Sequence, residues 1–317
     1  MKARAPGKLV LSGAYAVLEG APAIVTAVDR YVLADAGRVA ELVTPEVREA
    51  MGAEQAPWFD ASELREAGEK LGVGSSAAIV VASLGARVLA ERGLLADAEL
   101  AELVLVRALA AHARAQGGGS GVDVASAAYG GTLVFHRAEP AHEAALPGLL
   151  RVGLPRELVV ETWWSGTPAS TAGFVRRVRA LKERDRTSYT ELIAAQSDAA
   201  ERAARALLGA RTADFIAALG EQRRVLAALG RAADIEIVTR AVEELAELGG
   251  AAAVLPAGAG GGDIVLHVGV GPSPAPFRER AAALGHRLLA VEPGARGVHA
   301  VDGESDAGSH ATKRPTP

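Results

Sequence analysis

The chain has 317 residues, a length that favours two domains over a single core. Half of the residues are hydrophobic and 23% are charged, which is typical of a globular protein and excludes a largely disordered chain. The formal net charge of −4 gives no overall attraction to nucleic acid or to an anionic membrane. Cysteine is absent, which excludes disulfides, thiolate catalysis and cysteine-ligated metals.

The first residues show no targeting signal. Pro6 and Gly7 stand where a signal peptide would need a long apolar run. No stretch of about 18 uninterrupted apolar residues follows, so no membrane-spanning helix is expected. These features predict a cytoplasmic protein.

The first half of the chain is predicted to combine strands with helices. Short apolar runs between residues 9 and 34 are broken by glycine and proline, as in strands joined by tight turns. Residues 38–69 are polar and show no clear period. Two helices and a strand follow, at residues 75–92, at residues 97–116 and from residue 130. Asp97 is the predicted N-cap of the second helix, and Gly117 begins the glycine run that ends it.

The second half is predicted to begin with a strand at residues 157–164. We place a domain boundary just before it, which divides the chain into residues 1–155 and 156–301. Four amphipathic helices are expected next, at residues 171–184, 189–208, 212–229 and 236–248. Two strands around a glycine loop, a helix and a last strand then follow, at residues 251–256, 263–270, 277–284 and 287–293. Residues 302–317 lack apolar anchors and are expected to form a disordered tail.

The most informative segment is KLGVGSSA, which runs from Lys70 to Ala77 and opens a predicted helix. Glycines let the backbone approach a ligand, and free N–H groups at a helix start attract phosphate. Ser75 and Ser76 can cap the helix, bind a phosphate oxygen or ligate Mg²⁺. An ordinary helix start is an equally good explanation of so short a motif. No Gly-Lys-Ser/Thr follows, which excludes a Walker A loop.

A Rossmann turn is a weaker interpretation of the same segment. Gly72, Gly74 and Ala77 satisfy the loose GxGxxA pattern. That pattern requires a buried strand directly before it, whereas residues 61–70 are charged and resemble a helix.

Two further glycine-rich segments allow more than one explanation. Residues 258–263, GAGGGD, connect two predicted strands and form either a ligand-binding loop or a flexible hairpin. Residues 118–126, GGSGVDVAS, place Asp123 just after glycines, where a lone aspartate is usually a turn or cap residue.

In combination, these segments resemble the GHMP kinase superfamily, in the order that this superfamily shows. They are APGKLVLSGAYAVLEGAPAI, GVGSSAA, GSGVDVASAAYGG and GAGGGD, and the resemblance extends roughly from Ala5 to Val291. Three details are similar to the phosphomevalonate kinases: Lys70 two residues before Gly72, the segment AHARAQGGGSGVDVAS and the segment WWSGTPASTAGFV. The resemblance implies a two-domain α+β fold. Its N-terminal half would resemble ribosomal protein S5 domain 2, and its C-terminal half would be ferredoxin-like.

The resemblance also implies roles for individual residues. Asp123 matches the aspartate beside the accepting oxygen, and Lys8 matches the lysine that stabilises charge there. Ser76 would also face Mg²⁺. The nucleotide would be bound by Lys70, Gly72, Gly74, Ser75, Ser76 and Ala77. The substrate would be bound by Ser120, Gly121, Ser170, Thr171, Gly258, Gly260 and Gly261.

These roles predict an ATP- and Mg²⁺-dependent small-molecule kinase. Its preferred reaction would convert mevalonate 5-phosphate to mevalonate 5-diphosphate. Phosphoryl transfer needs positioning and neutralised phosphate charge more than covalent catalysis, and lysines, Mg²⁺ and backbone N–H groups can supply both. The expected partner is a small phosphorylated substrate, with neither nucleic acid nor membrane, in a monomer or homodimer.

Other interpretations stay open at this point. A mevalonate kinase or a sugar kinase of the same superfamily is an alternative, and a Rossmann dehydrogenase is a more distant one. Ala14 stands where the family carries the carboxylate of GEY or GEH, and Ala257 replaces a hydroxyl residue. Both departures favour a catalytically silent ligand-binding homologue as the alternative of another class. His112 stands where mevalonate kinases carry a magnesium-binding glutamate, although a histidine on a half-buried helix is more often simply packed.

Three arginines follow the predicted start of the helix at residue 171. Arg176, Arg177 and Arg179 could meet an anionic substrate, but a solvated helix face is expected for at least two of them.

Overall fold

The structure is a computed structural model that describes residues 1–66, 68–137 and 146–301, so the predicted tail at residues 302–317 lies outside the described residues. The strands are β1 (Lys2–Ser12), β2 (Ala23–Val39), β3 (Pro57–Asp60), β4 (Arg65–Glu66), β5 (Glu69–Lys70), β6 (Thr132–His136), β7 (Gly148–Val152), β8 (Val159–Trp164), β9 (Ala253–Pro256), β10 (Ile264–Gly269), β11 (Arg287–Leu289) and β12 (His299–Ala300). The helices are α1 (Pro45–Met51), α2 (Ser75–Arg92), α3 (Asp97–Gln116), α4 (Val122–Tyr129), α5 (Thr171–Arg184), α6 (Arg186–Leu208), α7 (Thr212–Ala232), α8 (Arg240–Leu248) and α9 (Ala275–Ala283). A short 3-10 helix, Ala16–Glu19, follows β1.

Two antiparallel sheets organise the fold. The first has the order β12-β1-β2-β6-β7, with β3 also paired to β2. The second has the order β11-β8-β10-β9, which is the order of a ferredoxin-like unit with helices after its first and third strands. The expected α+β class is confirmed. Antiparallel pairing in both sheets excludes the parallel, doubly wound sheet that a Rossmann dehydrogenase requires.

The core of the first half holds the start of α2 in place. This helix packs on β1, β2 and α3 and is buried on most of its circumference, which explains why its sequence is apolar almost all round. Gly85 permits close contact, because a Cβ at residue 85 would lie 2.8 Å from Cγ2 of Val298 and 3.2 Å from Cβ of Ala3. The glycine loop before α2 is therefore anchored on a packed helix.

Most of the predicted helices were placed correctly. Those at residues 75–92, 97–116 and 171–184 have the predicted bounds. The last of the four amphipathic helices begins at Arg240, four residues later than expected, because Thr239 caps it by accepting a hydrogen bond from the N–H of Val242.

The predicted N-cap at Asp97 is wrong. Ala96 occupies the N-cap position, and Asp97 lies in the first turn of α3. Its Oδ1 instead accepts a hydrogen bond from Nη2 of Arg296 at 2.7 Å. An ion pair with a residue 199 positions away thus replaces the local cap, and no local pattern could show it.

The segment without a clear period contains regular structure. Residues 38–69 include α1, which begins at a proline after the N-cap Thr44, and the strands β3 to β5. A helix of seven residues has only two turns, too few to show a period in the sequence.

The domain boundary between residues 155 and 156 stays a prediction. The second sheet draws its strands from residues 159–289, whereas β12 at residues 299–300 pairs with β1 of the first sheet. Among the described residues, no helix is long and apolar enough to cross a bilayer.

Gly130→Ala should destabilise the fold far more than Gly93→Ala. Both glycines end helices with nearly the same backbone, φ 66° and ψ −169° at Gly130 and φ 85° and ψ −165° at Gly93, so both variants carry the same strain. A Cβ at residue 93 meets nothing within 4 Å, whereas one at residue 130 overlaps the backbone of Gly297 and lies 2.6 Å from the oxygen of Ala295. We expect the strain alone to lower the free energy of unfolding by about 1–3 kcal/mol in both variants. The overlap at residue 130 should lower it by about a further 1–3 kcal/mol. Equal losses in urea unfolding would contradict this packing argument.

Candidate active site

A cleft of about 360 Å³ lies between the two halves of the chain. Its walls come from β1, the 3-10 helix, the loop between α3 and α4, α5 as far as Arg179 and the loop between β9 and β10. His112 also lines this cleft and is buried. The structure brings into the cleft wall these residues predicted from the sequence: Lys8, Gly72, Ser120, Gly121, Asp123, Thr171, Gly258 and Gly260. The other predicted residues lie outside the wall: Lys70, Gly74, Ser75, Ser76, Ala77, Ser170 and Gly261.

An ion pair between Lys8 and Asp123 is part of the cleft wall. Nζ of Lys8 lies 3.5 Å from Oδ1 of Asp123, and their side chains are 13% and 31% exposed. Lys8 is held by β1, and its backbone N–H donates to the oxygen of Val73 at 2.8 Å. Asp123 lies in the first turn of α4, behind the left-handed Gly121. The pair combines a positive charge with a hydrogen-bond acceptor, and both groups remain partly open to a ligand.

The glycines of the 72–74 loop are required by close packing. A Cβ at Gly74 would lie 2.8 Å from Cε of Lys8, and one at Gly72 would lie 2.6 Å from Cγ of Asp263. Both residues also have positive φ, 76° at Gly72 and 81° at Gly74. The loop therefore passes between the Lys8 and Asp263 side chains, and only glycine fits at both positions.

The start of α2 is open to an anion. Its N-cap is Gly74, and no side chain caps the helix, so the interpretation of Ser75 and Ser76 as caps is wrong. The N–H groups of the first turn are thus free of side-chain partners and can bind phosphate oxygens.

The donor set fits Mg²⁺ held mainly by a nucleotide. Among the described residues, no three histidine, aspartate or glutamate side chains form a metal-binding group. Magnesium keeps several waters and is usually held by one or two protein oxygens together with substrate phosphates, rather than by a full protein cage. The Ser76 hydroxyl, in the first turn of α2, is an oxygen donor of the kind that such a metal–nucleotide complex can use.

Asp263 is a site residue that the analysis of single motifs missed. Burial raises the pKa of its carboxyl group, while a backbone hydrogen bond at Ala169 and the charges of Lys8 and Lys70 oppose that rise. The residue also has a left-handed backbone, with φ 49°. The available signal was its place at the end of GAGGGD, where it follows the glycines directly.

The second glycine loop is shaped by contacts within the protein. The N–H of Gly261 donates to the oxygen of Ile237 at 2.9 Å, and a Cβ at Gly261 would overlap the ring of Phe174. A Cβ at Gly260 would overlap the backbone of Ile237. Gly261 therefore packs on α5 and does not face the cleft, whereas Gly258 and Gly260 do.

Buried amides hold the loop after β1, where the family motif departs at Ala14. Oε1 of Gln222 accepts from the N–H of Gly13 at 2.9 Å, and its Nε2 donates to Oγ of Ser12 at 2.8 Å. Gln222 is 1% exposed. Tyr15, which follows Ala14 in the loop, adopts φ 63°, and its hydroxyl donates a hydrogen bond to the backbone oxygen of Ala259 at 2.6 Å. These bonds join β1, α7 and the second glycine loop, and sequence analysis missed them because Gln222 is 209 positions from Gly13.

Ser170 and Thr171, at the start of α5, have different surroundings. Oγ of Ser170 accepts a hydrogen bond from the N–H of Gly173 at 3.2 Å, so this oxygen is used as the helix cap. Thr171 lines the cleft instead, together with Arg176 and Arg179. Arg177 lies 3.7 Å from Asp234 and is not part of the cleft wall.

Known kinases resemble this chain in sequence and in fold. No family model matches the chain. The chain is similar to a phosphomevalonate kinase of Streptomyces sp. (strain CL190), with 28% identity in an alignment that covers 82% of this chain and 87% of that protein. Among solved structures, a Lin0012 protein from Listeria innocua matches with a TM-score of 0.77 and 24% identity, over 94% of this chain and 99% of that chain.

A second solved structure carries a more specific name. Streptococcus pneumoniae phosphomevalonate kinase, in complex with phosphomevalonate and AMPPNP, matches with a TM-score of 0.71 and 18% identity, over 92% of this chain and 99% of that chain. A mevalonate kinase and a galactokinase share the fold as well, so the fold by itself does not select an acceptor.

The fold is that of the GHMP kinases, and the sequence similarity to a phosphomevalonate kinase supports the class of phosphotransferases. Within that class, the relative named by sequence comparison is phosphomevalonate kinase. The resemblance seen in the motifs is therefore confirmed, because a phosphomevalonate kinase is similar to this chain in sequence and structures of GHMP kinases share its fold.

Asp263→Asn should raise the midpoint of urea unfolding at pH 7. The folded state raises the pKa of Asp263, so it disfavours the ionised carboxylate. The contribution of this carboxyl group to the free energy of unfolding is therefore fully present below the usual aspartate pKa of about 4. That contribution is lost as the pH rises through the raised pKa of the folded state. Asparagine removes that loss, and the gain should vanish below about pH 4.

Asp198→Asn provides the control, because Asp198 is exposed on α6 and should show no gain at either pH. A gain at Asp263 that persisted unchanged at pH 3 would point to packing instead of titration.

Proposed function

We propose that this protein transfers the γ-phosphoryl group of ATP to mevalonate 5-phosphate, giving mevalonate 5-diphosphate and ADP. The observation that carries the proposal is the Lys8–Asp123 pair beside the glycine loop at the start of α2. The similarity to a phosphomevalonate kinase over 82% of the chain supports the choice of acceptor. The intact ion pair disfavours the catalytically silent alternative, although Ala14 departs from the family motif.

The nucleotide side of the reaction would be formed by residues 1–155. The backbone N–H groups at the start of α2 would bind the phosphates of ATP, as anions bind at helix N-termini. Lys70 would add positive charge, since it lies close enough to influence the carboxyl group of Asp263. When bound, Mg²⁺ would neutralise phosphate charge, with Ser76 as a protein ligand.

Lys8 and Asp123 would have different roles at the reacting atoms. The Lys8 ammonium would stabilise the charge that develops on the transferring group, because fixed positive charge in a cleft needs no reorganisation. The acceptor is a phosphate monoester, whose second pKa is about 6, so it is already ionised at neutral pH. Asp123 would therefore act mainly by positioning the acceptor through Lys8 and the loop before α4, and a strong base is not needed.

The substrate side would come from both parts of the chain. Ser120 and Gly121 would contribute from the α3–α4 loop, while Thr171, Gly258 and Gly260 would contribute from residues 156–301. Ser170 would act through its cap, which fixes the first turn of α5.

The acceptor is tested by measuring ADP release with mevalonate, mevalonate 5-phosphate, homoserine, galactose and heptose. We expect turnover with mevalonate 5-phosphate and little with the others. The wild-type protein without an acceptor provides the background rate. Preferred turnover of any other member of the panel would replace the proposed substrate while keeping the class of kinase.

Asp123→Asn should lower turnover by about 10² or more while ATP binding survives, because asparagine keeps the size of the side chain and loses its charge. With an ionised phosphate as acceptor, the residual rate should change little between neutral and mildly alkaline pH. Lys70→Met is the contrasting variant, since it should weaken ATP binding with any acceptor. Wild-type turnover in Asp123→Asn would overturn the assigned centre, and a steep rise of its residual rate with pH would indicate an alcohol as acceptor.

A further inference from the structure

Two arginines on α5 line the cleft. Arg176 and Arg179 are three positions apart, so they share one face of the helix. In the part of the chain that the structure describes, neither makes an ion pair or a hydrogen bond within the protein. Arg177 lies between them in sequence but is paired with Asp234. The two cleft arginines are therefore uncompensated cations in the cleft wall.

The opposite wall is shaped to leave these arginines free. Nη2 of Arg179 lies 3.7 Å from the position that a Cβ on Gly118 would occupy. Gly117, Gly118 and Gly119 all have positive φ and present only backbone to the cleft. These three glycines place no side chain in front of Arg179, and the loop between α3 and α4 carries no acidic residue that could neutralise the arginines.

Several contacts hold α5 in position. Nζ of Lys182 lies 2.8 Å from Oε1 of Glu19 in the 3-10 helix, which fixes the far part of α5 against the cleft wall. Ser170 caps the first turn, and Phe174 packs against Gly261. The backbone that carries Arg176 and Arg179 is thus fixed at both ends and along one side.

The other positive charge in the cleft wall is already compensated. Lys8 is paired with Asp123, whereas the arginine pair has no carboxylate partner among the described residues. A guanidinium group offers a planar fork of donors that matches a carboxylate, and two of them can hold one carboxylate from both sides. An uncompensated pair of this kind in a cleft is suited to an anionic group of the ligand.

We propose that Arg176 and Arg179 bind the carboxylate of the acceptor, at the end remote from the reacting phosphate. This inference rests on the proposed function, in which mevalonate 5-phosphate carries both groups. Thr171 and Arg176 are five residues apart on one helix, a rise of about 7.5 Å. Six bonds separate phosphorus from the carboxylate carbon, and an extended chain covers about 3.5 Å in three bonds, or about 7 Å in six. The axial separation of the two positions is thus comparable with the length of the acceptor, and Thr171 and both arginines line the same cleft. The phosphate would lie towards Thr171 and the carboxylate at the arginines.

The test compares two acceptors in four variants. The acceptors are mevalonate 5-phosphate and its analogue in which a primary amide replaces the carboxylate. The variants are Arg176→Gln, Arg179→Gln, the double variant and, as the matched control on the same helix, Arg177→Gln. KM, kcat and the KM for ATP are measured for each.

The wild-type protein should prefer the carboxylate over the amide in kcat/KM by about 10- to 100-fold, the range expected for hydrogen bonds to a charged group. Each single variant should raise the KM for mevalonate 5-phosphate by about tenfold or more, and the double variant should lose the preference for the carboxylate. The KM for ATP should stay unchanged in all variants. Arg177→Gln should remain within about twofold of wild type in every constant.

Two results would overturn the assignment to the carboxylate. Equal losses with the carboxylate and amide acceptors would mean that the arginines hold the phosphate or only support the fold. Retention of the full preference in the double variant would mean that the carboxylate is bound elsewhere.

The proposed function can fail separately. If mevalonate is phosphorylated and mevalonate 5-phosphate is not, the proposed function is wrong, and the same variants are compared on mevalonate and its amide. Loss of the preference there would still support the arginine pair. If galactose or another neutral sugar is the acceptor, both proposals are overturned.

Discussion

The cleft depends on the lack of a side chain at residue 74. Lys8 runs across this position on its way from β1 to Asp123, and a Cβ there would lie 2.8 Å from Cε of the lysine. The same glycine serves as the left-handed N-cap of α2, so one residue leaves room for the Lys8 side chain and also leaves the helix start without a capping side chain. A larger residue at this position would collide with the Lys8 side chain unless that side chain moved.

The charges of the cleft are arranged so that an anion is favoured even though the chain as a whole carries −4. Lys8 is balanced by Asp123, and burial disfavours the ionised form of Asp263. Arg176 and Arg179 add positive charge on the opposite wall. Local arrangement, and not the net charge, therefore determines which ligands the cleft attracts.

The loop after β1 shows how distant helices support the same cleft. Gln222 of α7 satisfies the N–H of Gly13, and Tyr15 binds the backbone at Ala259. A buried N–H without such a partner would cost about 1–3 kcal/mol, so the bond from Gly13 is a substantial constraint on this loop. Ala14 lacks the carboxylate of the family motif, yet its backbone is held firmly between these two anchors.

The sequence by itself determined the parts of this protein whose energetics are local. The bounds of α2, α3 and α5 follow from apolar periodicity and glycine stops, and the order of the glycine segments was sufficient to indicate the class of enzyme. The tertiary structure decided which residues meet: Asp97 with Arg296 in place of a helix cap, Gln222 with Gly13, and Arg179 with the Gly118 loop. It also decided that Thr171 faces the cleft and that Ser170 and Gly261 do not. These outcomes depend on packing between segments up to about two hundred residues apart, and the pattern of neighbouring residues carries no information about contacts of that range.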